Sequence, residues 1–343
     1  MYTNQHVTTW GKLCLVGVTL LTMTLSFVAC KDEENPIVPP PQTIGSTVIS
    51  NRQLGLLEAA VRRAGLTATL NGTGPFTVFA PSDAAFQAAG FADTAAINRA
   101  PVATLQQILS YHVISGSALS STAITTGQTA VPTSLSSAAV YVSRATSTSG
   151  TSSSVGTGIS VNNARVIRAD QQATNGIVHI IDRVLLPPAG NVLQLVAADP
   201  DLSLLVTAAT LGGTAVTGAL SGNTPLTVFA PTNAAFNAAG YRTAADIQAA
   251  PVAALTAILT NHVVAPARAY SPTIVNGPVT TFGGGSVTAT VGANDAITLL
   301  SRGNGTNAAN VLQNTVTNGA LVQNRDINAT NGVIHKIDRV LLP

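Results

Sequence analysis

The chain has 343 residues, enough for about two domains at ~100–200 residues each, and carries a formal net charge of +2. Hydrophobic residues make up 46% and charged residues only 9%, so cores can be buried, but the surface must be built from Ser, Thr, Asn, Gln, Gly and Ala. That balance excludes bulk disorder, and without a Lys/Arg cluster it leaves no electrostatic footprint for nucleic acid.

Residues 1–29 read as a targeting segment. Lys12 precedes an apolar run, Leu13 to Ala29, of 17 residues, shorter than the ~20 that span a bilayer. The run ends at Val28-Ala29-Cys30. The stretch "LSFVAC" resembles a bacterial lipobox, with Phe27 where an aliphatic residue is usual. This implies cleavage before Cys30 and lipidation of its thiol. "KDEEN", Lys31 to Asn35, resembles the surface-export signal of Bacteroidota lipoproteins. Cys14 would leave with the apolar run, so a capped Cys30 would leave no disulfide, zinc site or thiol nucleophile in the mature chain. Residues 30–42 form a tether, acidic and then Pro-rich, and "NPIVPPPQT", Asn35 to Thr43, predicts a stiff spacer.

The rest is written twice. "TVFAPSDAAF", Thr77 to Phe86, returns 150 positions later as "TVFAPTNAAF", Thr227 to Phe236. "DQQATNGIVHIIDRVLLP", Asp170 to Pro187, returns as "DINATNGVIHKIDRVLLP", Asp326 to Pro343, at an offset of 156. A net six residues therefore enter the second copy between His262 and Asp326. The period is far longer than the ~20–50 residues of a solenoid unit, which predicts two domains, 43–187 and 188–343, joined closely through "PPAGN".

Within each copy the decapeptide predicts a strand-to-helix corner. A short strand holds Phe79 (Phe229) and is stopped by Pro81 (Pro231). Ser82 or Thr232 is a natural N-cap. A second helix starts at Pro101, with Leu105, Ile108, Leu109 and His112 on one face, and is repeated as Pro251, Leu255, Ile258, Leu259 and His262. Asn175-Gly176 and Asn331-Gly332 predict type I′ hairpin turns. In the strand that follows, His179 and His335 alternate onto the core side, and Lys336 marks the opposite face as the wetter one.

These blocks, in order and twice over, identify the region 43–343 as resembling tandem fasciclin (FAS1) domains. The resemblance implies an α+β fold, each domain a β-wedge or sandwich flanked by helices. It also implies a role in cell adhesion or matrix attachment. In animal members a Tyr-His pair and an Asp-Ile pair before "ATNG" contribute to adhesion. The first falls on Tyr111 and His112, matched by Asn261 and His262. The second falls on Asp326 and Ile327, matched by Asp170 and Gln171. Neither copy has both motifs intact, which speaks against integrin binding of the animal type.

Other chemistry is thin. A His on an apolar face is more often a hydrogen-bonded core residue than a ligand. Ser82, His179 and Asp182 offer the residue types of a hydrolytic triad, but no G-x-S-x-G elbow is present, and copy two has Thr232 and Asn233 at the corner. "DTA" at Asp93 to Ala95 resembles a Bacteroidota O-glycosylation site, and Thr146 to Gly158 is a Ser/Thr/Gly loop. The expectation is a non-enzymatic, cofactor-free lipoprotein anchored in the outer membrane and displayed on the cell surface. Its partners would be surface or matrix proteins or glycans, with weak self-association and no nucleic acid. The alternative is a periplasm-facing binding or envelope-scaffold lipoprotein.

Overall fold

The computed structural model describes residues 42–145 and 157–343. Cys30, the tether up to residue 41 and most of the Ser/Thr/Gly loop lie outside the described residues.

Copy one opens with three helices: α1 (Ile44–Ser50), α2 (Gly55–Ala64) and α3 (Thr67–Leu70). In α2, Leu56, Leu57, Ala60, Val61 and Ala64 share a buried face, and Gly65 closes the helix in the left-handed region at φ 73°. Strand β1 (Phe76–Pro81) leads into α4 (Asp83–Ala88), followed by α5 (Thr94–Arg99) and α6 (Val102–Tyr111). The strand-to-helix corner is as expected: the Ser82 hydroxyl accepts from Ala85 N at 3.2 Å. The sheet is completed by β2 (Val113–Ser115), β3 (Gly127–Pro132), β4 (Ala139–Arg144), β5 (Ile159–Val161), β6 (Ala164–Ala173) and β7 (Gly176–Ile181). Its order is β2-β1-β7-β6-β5-β4-β3, with β1 and β7 parallel and the other pairs antiparallel.

Copy two repeats the plan with α7 (Val192–Ala198), α8 (Ser203–Leu211), α9 (Gly213–Ser221), β8 (Leu226–Pro231), α10 (Asn233–Ala238), α11 (Ala244–Ala249) and α12 (Val252–Asn261). Then come β9 (Val263–Val264), β10 (Gly277–Thr280), β11 (Ser286–Val291), β12 (Ile297–Ser301) and β13 (Ala309–Asn310). The chain ends with β14 (Thr315–Thr317), β15 (Ala320–Val322), β16 (Ile327–Ala329) and β17 (Gly332–Ile337). The long β6 of copy one is here divided into β13 and β16, with the β14–β15 hairpin between them. The sheet accordingly splits into β16-β17-β8-β9 and β10-β11-β12-β13. The net insertion read from the offset change falls in this half of the copy.

Each copy has two cores, one on either side of its central strands. In copy one, Val78, Ala80, Val178 and Ile180 pack with the helices, while Phe79, Tyr111, Val142, Val161 and Ile181 fill the space enclosed by the curling sheet. In copy two, Val228, Ala230 and Ile334 face the helices, and Phe229, Val287, Leu299 and Ile337 fill the second core. A strand covered on both faces cannot have a wet side. The expectation for Lys336 is therefore corrected. It lies on the helix side at only 3% exposure, and its Nζ pairs with the Asp199 carboxylate at 2.6 Å.

The Asn-Gly expectation also needs correction. Ala173 pairs with Gly176, so the loop residues are Thr174 and Asn175, and neither has the positive φ of a type I′ turn. Asn175 acts instead as a staple. Its Oδ1 accepts from Ile44 N at 2.9 Å, and its Nδ2 donates to Leu70 O and Gly72 O at 2.9 and 2.8 Å. Asn331 repeats this with Val192 N, Leu220 O and Gly222 O. Gly176 is needed for close approach: a Cβ there would sit 2.0 Å from Phe76 O.

Candidate binding site

His112 and His262 follow the last turns of α6 and α12. His112 Nδ1 donates to Ile108 O at 2.7 Å, and its Nε2 accepts from Leu185 N at 2.9 Å. His262 joins Ile258 O and Leu341 N in the same way, at 2.8 Å each. Both rings are buried, and both bonds require the neutral Nδ1–H tautomer. A positive charge at a helix C-terminus is ordinarily favoured. Here burial prevails and pushes both histidines down to about 4.

His179 and His335 use the other tautomer. Nε2 donates to Leu119 O or Ala269 O at 2.8 Å, while Nδ1 accepts from the backbone N of Asp170 or Asp326 at 3.3 and 3.4 Å. Phe79 and Phe229 stack on these rings at 5.6 Å. Burial holds both histidines below the usual value.

The two aspartates occupy left-handed positions at φ 57° and 55°. In copy one this coincides with the irregular register of β6. Asp170 accepts from Ser121 N at 2.7 Å and from the Ser121 hydroxyl. Asp326 accepts from Ser271 N at 2.6 Å and from the Ser271 hydroxyl. Asp326 is buried and Asp170 half-buried. Ile327 is half-buried against the helix-side core, and Gln171 turns its amide to Ala169 O. The two aspartates thus fasten turns to strands inside each copy.

Tyr111 does more. It is 0% exposed, and its ring lies in the second core of copy one. Its hydroxyl donates to Ala139 O at 2.9 Å and accepts from Asn162 Nδ2 at 2.9 Å. It also accepts from Asn328 Nδ2 of copy two at 2.9 Å. Asn328 donates as well to Leu186 O at 3.1 Å, and its Oδ1 accepts from Tyr270 at 2.8 Å. Around this hub the Arg268 guanidinium lies 4.6 Å from the centre of the Tyr141 ring, and Gln128 Nε2 donates to Arg268 O at 3.0 Å. Asp295 receives a two-point ion pair from Arg165, with Arg183 3.8 Å away and Arg325 donating to its backbone carbonyl at 2.7 Å. The Arg165 guanidinium holds the Asp295 carboxyl below its ordinary value. Asn261, at the Tyr111 position of copy two, turns inward to Ser301 and Leu341 O. Tyrosine therefore stands in the copy whose hydroxyl meets the other domain.

The hydrolytic trio is spent elsewhere: Ser82 caps α4, His179 bridges backbone, and Asp182 accepts from Arg165 N at 2.7 Å. Asp93 caps α5 through Ala96 N at 2.7 Å. Among the described residues no group of three or more His, Cys, Asp or Glu could hold a metal ion, and no single helix is long and apolar enough to cross a membrane.

Edge strands and an open cleft offer surfaces for binding. Among the described residues, β3 and β10 are equivalent edge strands, each paired on one side only. In copy two, β10 is flanked by Val275 at 69% and Phe282 at 55% exposure. Copy one also carries an open, neutral cleft of about 670 Å³ beside the Asn175 loop.

The fasciclin domain model matches residues 52–187 and 200–343. Transforming growth factor-beta-induced protein ig-h3 of Sus scrofa is 31% identical over 54% of this chain and 24% of its own length. Periostin of Homo sapiens is 34% identical over 54% of this chain and 20% of its own length. Protein sll1483 of Synechocystis is 36% identical over 43% of this chain and 74% of its own. The match thus spans about a quarter or less of the two animal relatives. The solved FAS1 domain pair of the insect cell adhesion molecule fasciclin I covers 84% of this chain and 96% of that one, at 21% identity and a TM-score of 0.38.

Proposed function

Since this chain belongs to the fasciclin family and carries its domain twice, we propose that it is a non-enzymatic attachment protein, exported and held at a cell surface by a lipid on Cys30. The observation that carries the reading is the repeated edge strand. β3 and β10 each leave one row of backbone groups unpaired by a neighbouring strand, and Val275 and Phe282 add exposed apolar area beside β10. Edge pairing and small apolar patches suit a protein or glycan partner approached without electrostatic steering. Asp170 and Asp326 serve attachment by fastening the Ser121 and Ser271 turns that precede β3 and β10, while Tyr111, His112, Asn261, His262 and Ile327 hold the scaffold behind them. Two linked modules raise avidity without new contacts.

Beads coated at equal density with the full two-domain protein or with its β10-edge variant Val275→Ser/Phe282→Ser test this. The parent beads should be retained on matrix proteins, glycans or partner cells, and retention should persist at high salt. The edge variant should be retained less. Absence of retention on every such surface would overturn the reading. Lipidation is checked separately: Cys30→Ser should shift the protein from the membrane to the soluble fraction or leave its precursor uncleaved.

A further inference from the structure

The two copies are internal controls for each other, and they differ sharply at one spot. In copy two, Thr227 clasps a loop: its hydroxyl donates to Ala267 O at 2.9 Å and accepts from Ala269 N at 2.8 Å. In copy one, Thr77 makes the same clasp with Ser117 O and Leu119 N, at 2.7 and 2.8 Å. The residue between the clasped groups is Arg268 in copy two and Ala118 in copy one.

Arg268 swings its guanidinium onto the end of the β16–β17 hairpin. It donates to Ala329 O at 2.8 Å, to Gly332 O at 3.1 Å and to Thr330 O. Those carbonyls correspond, at the 156-residue offset, to Ala173, Gly176 and Thr174. In copy one these three residues, together with Ala118, line the open cleft of about 670 Å³. The acceptor set is repeated, and the cation that uses it is replaced by a methyl group.

We propose that this cleft is a guanidinium site, filled by the side chain of an arginine on a partner protein. The chemistry fits that class. Three carbonyl oxygens around one hairpin end match the planar, forked donors of a guanidinium better than a compact, strongly hydrated ammonium. Among the described residues, those that line the cleft are uncharged, so recognition rests on hydrogen bonds from a cationic fork to carbonyl oxygens and not on an ion pair with a carboxylate. A protein partner fits better than free arginine because in copy two the guanidinium is roofed by the Tyr141 ring of the neighbouring domain. An arginine in copy one needs a roof from the molecule that brings it.

The test is a titration of the full chain with acetyl-Gly-Arg-Gly-amide, its lysine and citrulline counterparts, and free L-arginine, read by amide NMR shifts at Thr174 and Gly176. At about 10 mM probe the arginine peptide should shift both amides, and it should bind about tenfold tighter than the citrulline peptide. The lysine peptide should fall between, and free arginine should bind more weakly than the peptide. Ala118 is exposed, so Ala118→Arg should fold, supply its own guanidinium, melt higher than the parent and abolish the response. Ala118→Met, which fills the space without the donors, should abolish the response without that gain in melting temperature. Equal binding of arginine and citrulline peptides, tighter binding of free arginine, or a response that survives Ala118→Arg would overturn the proposal, as would no shift at all. The site does not depend on the attachment reading. Failed bead retention with an intact titration would sink that reading alone, and the reverse result would sink the site alone.

Discussion

The four described histidines are backbone couplers, and their chemistry sets a pH dependence. His112 and His262 stand at about 4 in the folded protein and near 6.5 when unfolded. The folded value is the lower one, so the unfolded chain takes up more protons between these limits. Stability is therefore full above pH 6.5 and is lost as pH falls toward 4. Each of the two contributes roughly 3 kcal/mol to that loss, and His179 and His335 add in the same direction. Urea midpoints at pH 7 and 4.5 should show the drop, with a smaller slope in His112→Gln. A flat profile would contradict the neutral-tautomer assignment. At pH 7, His112→Ala leaves Leu185 N–H and Ile108 C=O without their ring partner, and should cost about 1–3 kcal/mol.

At the scale of elements, the decisive feature is the parallel pairing of β1 with β7 and of β8 with β17. It puts each hairpin strand between two cores, which explains the buried Lys336 and the tight backbone at Gly176. Gly176→Ala should cost about 1–3 kcal/mol, because the added carbon meets a strand carbonyl that cannot move alone. Gly218→Ala, within α9 and with nothing within 4 Å of the added carbon, should instead stabilise by about 0.5–1 kcal/mol. Chemical denaturation of the two variants separates close approach from simple helix propensity. Two destabilisations of equal size would refute the distinction.

For the whole molecule, the junction between copies is polar but satisfied at its hub. Removing the Tyr111 hydroxyl in Tyr111→Phe strips partners from Asn162 and Asn328 at once, and should cost about 1–3 kcal/mol. Fragments 43–187 and 189–343 should each fold, since each contains both of its cores. Mixed, they should associate weakly, and Asp295→Asn should weaken that association by removing the two-point pair with Arg165. Sedimentation of the mixed fragments reads this directly. If neither fragment shows a cooperative transition, the two-domain division is wrong.

Local chemistry was legible from the sequence wherever a residue's role depends on its near neighbours. The repeat, the Ser82 and Thr232 caps, the helix face ending at His112 and His262, and the inward turn of His179 and His335 all follow from spacing and periodicity. So does the family, because its blocks are short and contiguous. What required the tertiary structure are roles set by residues far apart in the chain. Asn175 pairs with Ile44 across 131 positions and Tyr111 meets Asn328 across 217, and no local pattern marks either partner. Lys336 was misjudged because alternation reports which side chains share a face, while the wetness of that face depends on what packs over it. The cleft at Ala118 was invisible for the same reason. An alanine signals nothing until its counterpart, Arg268, is seen holding three carbonyls from a distant hairpin.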